Sequence, residues 1–294
     1  MKNIQRTFIP GSEWVYIKIY TGYKIADRIL VKAIAPIIEE LCQKKRIDKW
    51  FFVRYADPDF HLRVRFHLSD SIQYEKVMTL LYNKLKKYVT KNLVWKIQYD
   101  TYNRELERYG YDLIDISEDL FRLNSDFILS LLTKLNTFHN ENLRWMIALK
   151  MIDSFLTAFR FDLHLKYQLF ISLSREFKNE FGFTEHNSKQ FNEKYRDHKR
   201  VIENVLKDSI NNADYLILYI LLRKYRVELC FLSETIMKKL VDRRNITIES
   251  LVKSYIHMML NRLFRTQNRK HELILYEFMR RYYESEIAQV KYKK

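Results

Sequence analysis

Between residues 13 and 101 the spacing of apolar positions changes period several times. WVYIKIY (14–20) alternates, with Val15, Ile17 and Ile19 on one face, and predicts a strand. KIADRILVKAIAPIIEELCQKK (24–45) carries apolar residues at helical spacing, with Pro36 either kinking one helix or opening a second. WFFVRY (50–55) predicts a strand, ADPDF a turn, and HLRVRFHL (61–68) the hairpin partner. SDSIQYEKVMTLLYNKLKKYVTK (69–91) predicts a capped amphipathic helix and LVWKIQYDTY (93–102) a fourth strand.

The order β-α-β-β-α-β is that of the split βαβ, or ferredoxin-like, unit, whose two helices cover one face of the sheet. From about residue 115 onward the pattern is helical, with segments expected at 117–137, 141–176 with a break, 188–209, 213–240, 247–261 and near 270–290. FGFTEHNS (181–188) interrupts the run. The expected fold class is α+β: an N-terminal ferredoxin-like βαββαβ sheet packed against a largely helical C-terminal half. It reads as one domain over 1–294, with a sheet-containing subdomain (1–112) and a helical subdomain (113–294).

Three segments hold candidate chemistry. In HLRVRF, His61, Arg63 and Arg65 share one strand face while Leu62, Val64 and Phe66 share the other. If the apolar face meets the helices, the three basic residues lie on the second face beside Trp14, Tyr16 and Lys18. The second strand is apolar on both faces, which implies that this face too is covered. Arg54 and Tyr55, just before the turn, join the group. Clustered guanidiniums suit a carboxylate or phosphate, which their planar fork binds with two hydrogen bonds; a solvated basic stripe is the plain alternative. In DTYNRELERYGYD (100–112), a helical turn would set Arg104 and Arg108 on one side, flanked by Glu105 and Glu107, with Gly110 ending it. The plain reading is a salt-bridged turn. In SYIHMMLNRLFR (254–265), His257 and Asn261 lie four apart on one face with Arg262 beside them, opposite Ile256, Met259, Leu260 and Leu263. A lone helical histidine is more often structural than catalytic.

Composition narrows the field. At 294 residues and 47% hydrophobic content the chain has ample core, and 4 glycines with 3 prolines imply long helices and few tight loops. HExxH, CxxC, GxGxxG and GxxxxGK[ST] are all missing, so metal and nucleotide chemistry are not expected, and no cofactor is. FHLRVRFHL lacks the glycine-and-aromatic pattern of an RNA-recognition sheet, so no direct nucleic-acid contact is expected either. The net charge of +16 favours anionic partners, although most lysines are scattered. Cys42 and Cys230 sit in apolar runs, which predicts buried thiols and a reducing compartment. No segment has the length and apolarity of a signal peptide or a membrane span, which predicts a cytoplasmic protein.

In this order, WVYIKIY, WFFVRYADPDFHLRVRF, DTYNRELERYG, SEDLFRLNS and SYIHMMLNRLF resemble the lantibiotic dehydratase C-terminal domain, also described as the thiopeptide-type bacteriocin biosynthesis domain. The likeness spans nearly the whole chain and is most specific at 48–66. It departs at Tyr111, Asn124 and Met259, where glycine, aspartate and histidine are more usual. Members are similar to the glutamate-elimination domain of class I lanthipeptide dehydratases. There a separate domain esterifies Ser or Thr of a precursor peptide with glutamate from glutamyl-tRNA, and elimination then leaves dehydroalanine or dehydrobutyrine. Free-standing relatives of the thiopeptide type join two dehydroalanines by a formal [4+2] cycloaddition.

By this resemblance the catalytic residues are Arg63, Arg65, one of Arg104 and Arg108, and His257, with Arg54, Tyr55, His61, Asn261 and Arg262 as substrate-binding neighbours. The chain has no room for a glutamylation domain and is expected to be free-standing. The expected activity is that of a carbon–oxygen lyase acting on a glutamylated precursor peptide. Its expected partners are that peptide, a separately encoded glutamyl-tRNA-dependent glutamylating dehydratase and, as a further candidate, a second copy of the chain in a homodimer. The alternatives are a [4+2] macrocyclase and a non-catalytic module that binds leader peptide or nucleic acid.

Overall fold

The computed structural model describes residues 4–138, 140–182, 184–240 and 246–292. These form two compact units. One holds the described residues of 1–134, 238–247 and 261–266, the other those of 135–237, 248–260 and 267–294.

In the first unit the alternating segments form β2 (Trp14–Thr21), β3 (Ile47–Ala56), β4 (Phe60–Leu68) and β5 (Val94–Tyr99), a sheet of order β3-β4-β2-β5 in which every neighbouring pair is antiparallel. A two-residue ribbon, β1 (Thr7–Phe8) with β6 (Tyr102–Asn103), was too short to carry a period in the sequence. The helix read at 24–45 is α1 (Tyr23–Ile29), a π turn (Leu30–Ile34) and α2 (Ala35–Gln43). Pro36 stands in the first turn of α2, where its missing N–H costs nothing, and the π turn ahead of it absorbs the change of pairing. Asp70 caps a short 3₁₀ turn by accepting from the Ile72 amide at 3.1 Å, and α3 (Tyr74–Thr90) follows.

These helices pack Ile29, Leu30, Ile37, Leu41, Val77, Leu81 and Leu85 on one sheet face, all buried with Ile17, Ile19, Leu62 and Val64. The other face is also covered, as the apolar second strand implied. Within this unit the cover is aromatic: Phe8 and Tyr102 of the ribbon, Tyr109 of α4 (Leu106–Tyr109) and Phe121 of α5 (Ile114–Phe138). Phe51 lies 5.4 Å from Phe121 and 6.0 Å from Tyr102, and Trp14 lies 5.1 Å from Tyr102.

The chain enters the second unit within α5. There α6 (Asn142–Ala158) and α7 (Leu163–Glu180) are separated at Phe159–Asp162, where Arg160 takes a positive φ and Asp162 caps α7 through the Leu165 amide. The helices α8 (Glu185–Leu206), α9 (Ala213–Leu240), α10 (Ile248–Leu263) and α11 (Asn268–Tyr292) follow. Phe170 and Phe177 of α7 pack on Tyr276 of α11 at 5.8 and 5.2 Å, and Tyr255 of α10 meets Phe155 of α6 at 6.2 Å.

One expectation is corrected. Cys42 and Cys230 are exposed free thiols. Their sequence neighbours are apolar, but α2 buries Ile37, Ile38 and Leu41, and α9 buries Leu229, Leu232 and Ser233, so each cysteine turns outward. Among the described residues no helix is long and apolar enough to cross a membrane.

Candidate active site

The β2–β4 register pairs Tyr16 with Arg65, Lys18 with Arg63 and Tyr20 with His61, and the β3–β4 register adds Phe51, Val53 and Tyr55 opposite the same three residues. His61 is fully buried, and its Nδ1 lies 2.8 Å from the Asp59 carbonyl oxygen, an acceptor, so Nδ1 carries the proton. Its Nε2 then accepts from Nε of Arg63 at 3.1 Å. Burial first, and the Arg63 charge further down, push the His61 pKa below its ordinary value, while the Asp59 carbonyl works against them. The stripe therefore contains two cations, not three.

Arg63 stacks on the Tyr55 ring, 3.5 Å from its centroid. Arg65 is held among Tyr16, Tyr102 and Phe51 at 4.2, 4.7 and 5.2 Å, with its Nε buried and, among the described residues, without a hydrogen-bond partner. Both side chains are only partly buried, and among the described residues no carboxylate pairs with either guanidinium. Stacking fixes each plane without using its in-plane N–H donors. Lys18, by contrast, pairs with Asp100, whose carboxyl is held below its usual range by Lys18 and the Thr101 amide in spite of partial burial.

The other predicted arginines are engaged by protein groups. Arg104 precedes α4 rather than lying in it, and is buried. Its Nε and Nη2 donate to the two oxygens of Glu118 at 2.8 and 2.6 Å, Nη2 also reaches Asp115 at 2.9 Å, and Nη1 reaches the Gln5 carbonyl at 3.4 Å. Burial pushes the Glu118 carboxyl up and the Arg104 fork opposes it. The Tyr102 hydroxyl donates to the same Glu118 at 2.9 Å, so Glu118 anchors a ring that flanks Arg65. Arg108 lies on α4, exposed, 3.1 Å from Glu105. The two arginines therefore do not share a helix face.

Arg54 lies on the opposite sheet face from Arg63, because the register sets it beside Leu62. It is 1% exposed, donates to Asp27 of α1 at 2.6 Å and to the Arg262 carbonyl at 3.0 Å. Asp27 also accepts from Arg265. Asn261 accepts from the Arg54 amide and donates to the Arg54 carbonyl, both at 2.9 Å, while Ser125 accepts from the Phe52 amide at 3.2 Å. These contacts satisfy the free edge of β3. Arg262 is fully buried, 5.3 Å from the Phe121 ring.

His257 belongs to the second unit. Its Nδ1 lies 2.7 Å from Oε1 of Glu272 on α11, a fully buried carboxylate, and the imidazole is 30% exposed. Among the described residues no group of three or more His, Cys, Asp or Glu side chains could hold a metal ion.

Residues 14–283 match the family described as "Lantibiotic biosynthesis dehydratase C-term". The chain belongs to that family. It is 27% identical over 277 residues to the subtilin biosynthesis protein SpaB of Bacillus subtilis, an alignment covering 92% of this chain and 25% of SpaB. The chain thus spans about a quarter of the length of the curated relatives it matches. The fold resembles the crystal structure of the tRNA-dependent lantibiotic dehydratase MibB from Microbispora sp. 107891, with a TM-score of 0.71, 18% identity, and coverage of 95% of this chain and 28% of MibB. It also resembles the pyridine synthase TbtD from thiomuracin biosynthesis, with a TM-score of 0.64, 13% identity, and coverage of 95% of this chain and all of TbtD.

For this dehydratase-family chain, sequence reasoning missed Tyr102, Glu118 and Glu272. Glu118 stood within SEDLFRLNS, yet nothing local ties it to Arg104, 14 positions earlier. Glu272 sits on a different helix from His257, so no spacing rule could pair them.

Proposed function

We propose that the chain eliminates glutamate from glutamylated Ser or Thr of a ribosomally made precursor peptide. The observation that carries this reading is the pair Arg63 and Arg65: two partly buried guanidiniums on one sheet face, braced by aromatic rings and, among the described residues, lacking a carboxylate partner. Such a pair is built for an anion that the protein itself does not supply.

In the reaction the Cα–H bond of the glutamylated residue breaks and its proton passes to a base, the role that the family resemblance gives to His257. The released electron pair forms the Cα–Cβ double bond as the Cβ–O bond breaks and glutamate departs as its carboxylate. Negative charge grows on the peptide carbonyl oxygen and on the departing carboxylate, and Arg63 and Arg65 stabilise it. A well-placed donor of this kind is worth about 100- to 1,000-fold in rate. Arg108, exposed on α4, is a better candidate than Arg104 to add to that stabilisation, because all three Arg104 guanidine nitrogens are already engaged. Tyr55 and His61 brace Arg63, whereas Arg54, Asn261 and Arg262 serve the framework. The sheet order with its two covering helices supports a ferredoxin-like reading of the N-terminal part. The partners would be the precursor peptide and a separately encoded glutamylating dehydratase, in the cytoplasm.

The alternative is a [4+2] macrocyclase, favoured by the resemblance in fold to the whole of TbtD. Two substrates offered side by side separate the readings. With a glutamylated peptide the chain should release free glutamate and leave the peptide one water lighter than its unmodified form, and Arg63→Ala should leave the ester intact. Consumption of a dehydroalanine-bearing peptide with the ester untouched would overturn elimination and establish cyclisation.

A further inference from the structure

We infer that Glu272 is a positioning residue for His257: it fixes the imidazole in the Nδ1–H tautomer and leaves Nε2 as the proton acceptor. This rests on the elimination reading only for the identity of the proton; the geometry stands without it. Oε1 of Glu272 meets Nδ1 of His257 at 2.7 Å, and Oε2 accepts from Nη1 of Arg269 at 3.0 Å. The Glu272 carboxyl accepts from a guanidinium on its other oxygen, and its Oε1 stands as an acceptor toward the ring, so Nδ1 is the donor in this pair. Among the described residues Nε2 has no hydrogen-bond partner, and the ring is 30% exposed, so this lone pair is open to solvent or substrate.

Arg269 is held in turn. It stacks 3.9 Å above the Phe177 ring and donates through Nε and Nη2 to the two oxygens of Glu180. Glu180, Arg269, Glu272 and His257 therefore form one hydrogen-bonded chain across α7, α11 and α10. Its buried link, Glu272, has no solvent to relax into, so the imidazole plane is set before substrate arrives. A carboxylate behind a histidine serves this purpose in hydrolytic triads, where replacing it by the amide costs about 10⁴ in kcat by admitting the wrong tautomer.

Nitrogen-15 NMR of the full histidine-labelled chain tests the inference directly, with the His257 resonances assigned from their loss in His257→Gln. The wild-type ring should show a protonated Nδ1 and an unprotonated Nε2 in its neutral form, and Glu272→Gln should mix or invert the two. A wild-type ring protonated at Nε2 overturns the inference, whatever the variants do. In the glutamate-release assay Glu272→Gln should lower kcat by about 100-fold or more while KM stays within twofold, and Glu272→Asp should recover part of the loss. An unchanged kcat in a folded Glu272→Gln also overturns it. Should the wild type release no glutamate at all, the elimination reading fails, and the tautomer measurement still decides the role of Glu272.

Discussion

Replacing Arg65 by methionine should remove function while leaving the fold nearly as stable as before, and replacing Arg104 in the same way should do much more damage to the fold. Methionine keeps the apolar length of Arg65 among Tyr16, Tyr102 and Phe51 but removes the charge that these rings face at 4.2, 4.7 and 5.2 Å. Each such contact at a partly exposed site is worth about 0.5–1 kcal/mol, so about 2 kcal/mol is lost. Against this, the Nε of Arg65 is buried with no partner among the described residues, and relieving an unmet donor returns about 1–3 kcal/mol. The two effects nearly cancel, and the net change should fall within about 1 kcal/mol of zero. Arg104→Met instead strands Glu118, which is 1% exposed, and breaking a buried pair from one side costs about 3–5 kcal/mol. Urea unfolding in a Trp145→Phe background reads the sheet-bearing unit alone, because Trp14, Trp50 and Trp95 all lie there. An Arg65→Met variant as damaged as Arg104→Met would show that Arg65 is a structural cation and not a waiting ligand group.

Acidification should weaken the sheet-bearing unit through His61. Burial lowers its proton affinity in the folded chain relative to the ordinary value of 6.5, so the folded state binds fewer protons than the unfolded one. The stabilisation is then complete above that value and is lost as pH falls from it toward the folded pKa; His61→Gln should flatten this part of the stability profile. Asn261→Ala should cost about 1–3 kcal/mol by leaving the Arg54 amide and carbonyl unmet at the β3 edge, and should increase self-association measured by light scattering. Gly110→Ala should cost about 1–3 kcal/mol from its backbone alone, because φ of +84° with ψ of 146° is a region that only glycine adopts readily. An added Cβ would also stand 2.9 Å from Cδ1 of Ile246, and adding Ile246→Val should return only that steric part in thermal melts.

The strands and most of the helices could be read from the sequence because their periods are local. The face shared by His61, Arg63 and Arg65 was visible for the same reason. What could not be seen was set by register and by distant partners. β3 is apolar on both faces, so only its pairing with β4 reveals that Arg54 joins the helix-covered side and meets Asp27 instead of its sequence neighbours. His61 looked like a third cation because its neutrality depends on the Asp59 carbonyl and on burial, neither of which has a residue-type signature. Arg104 and Arg108 looked equivalent on a helical turn, until Glu118 from α5 drew Arg104 out of it. The cysteines show the opposite error: an apolar run along the chain does not fix which way a helix turns a given position.

Calorimetric titration of the chain with glutamate, the proposed leaving group, probes the cationic face with no chemistry intervening. The wild type should bind with a Kd of about 1 mM or tighter, more weakly as salt is raised, and Arg63→Met/Arg65→Met should give no measurable heat. Equal binding by the wild type and the double variant would mean that these guanidiniums do not receive the glutamyl carboxylate.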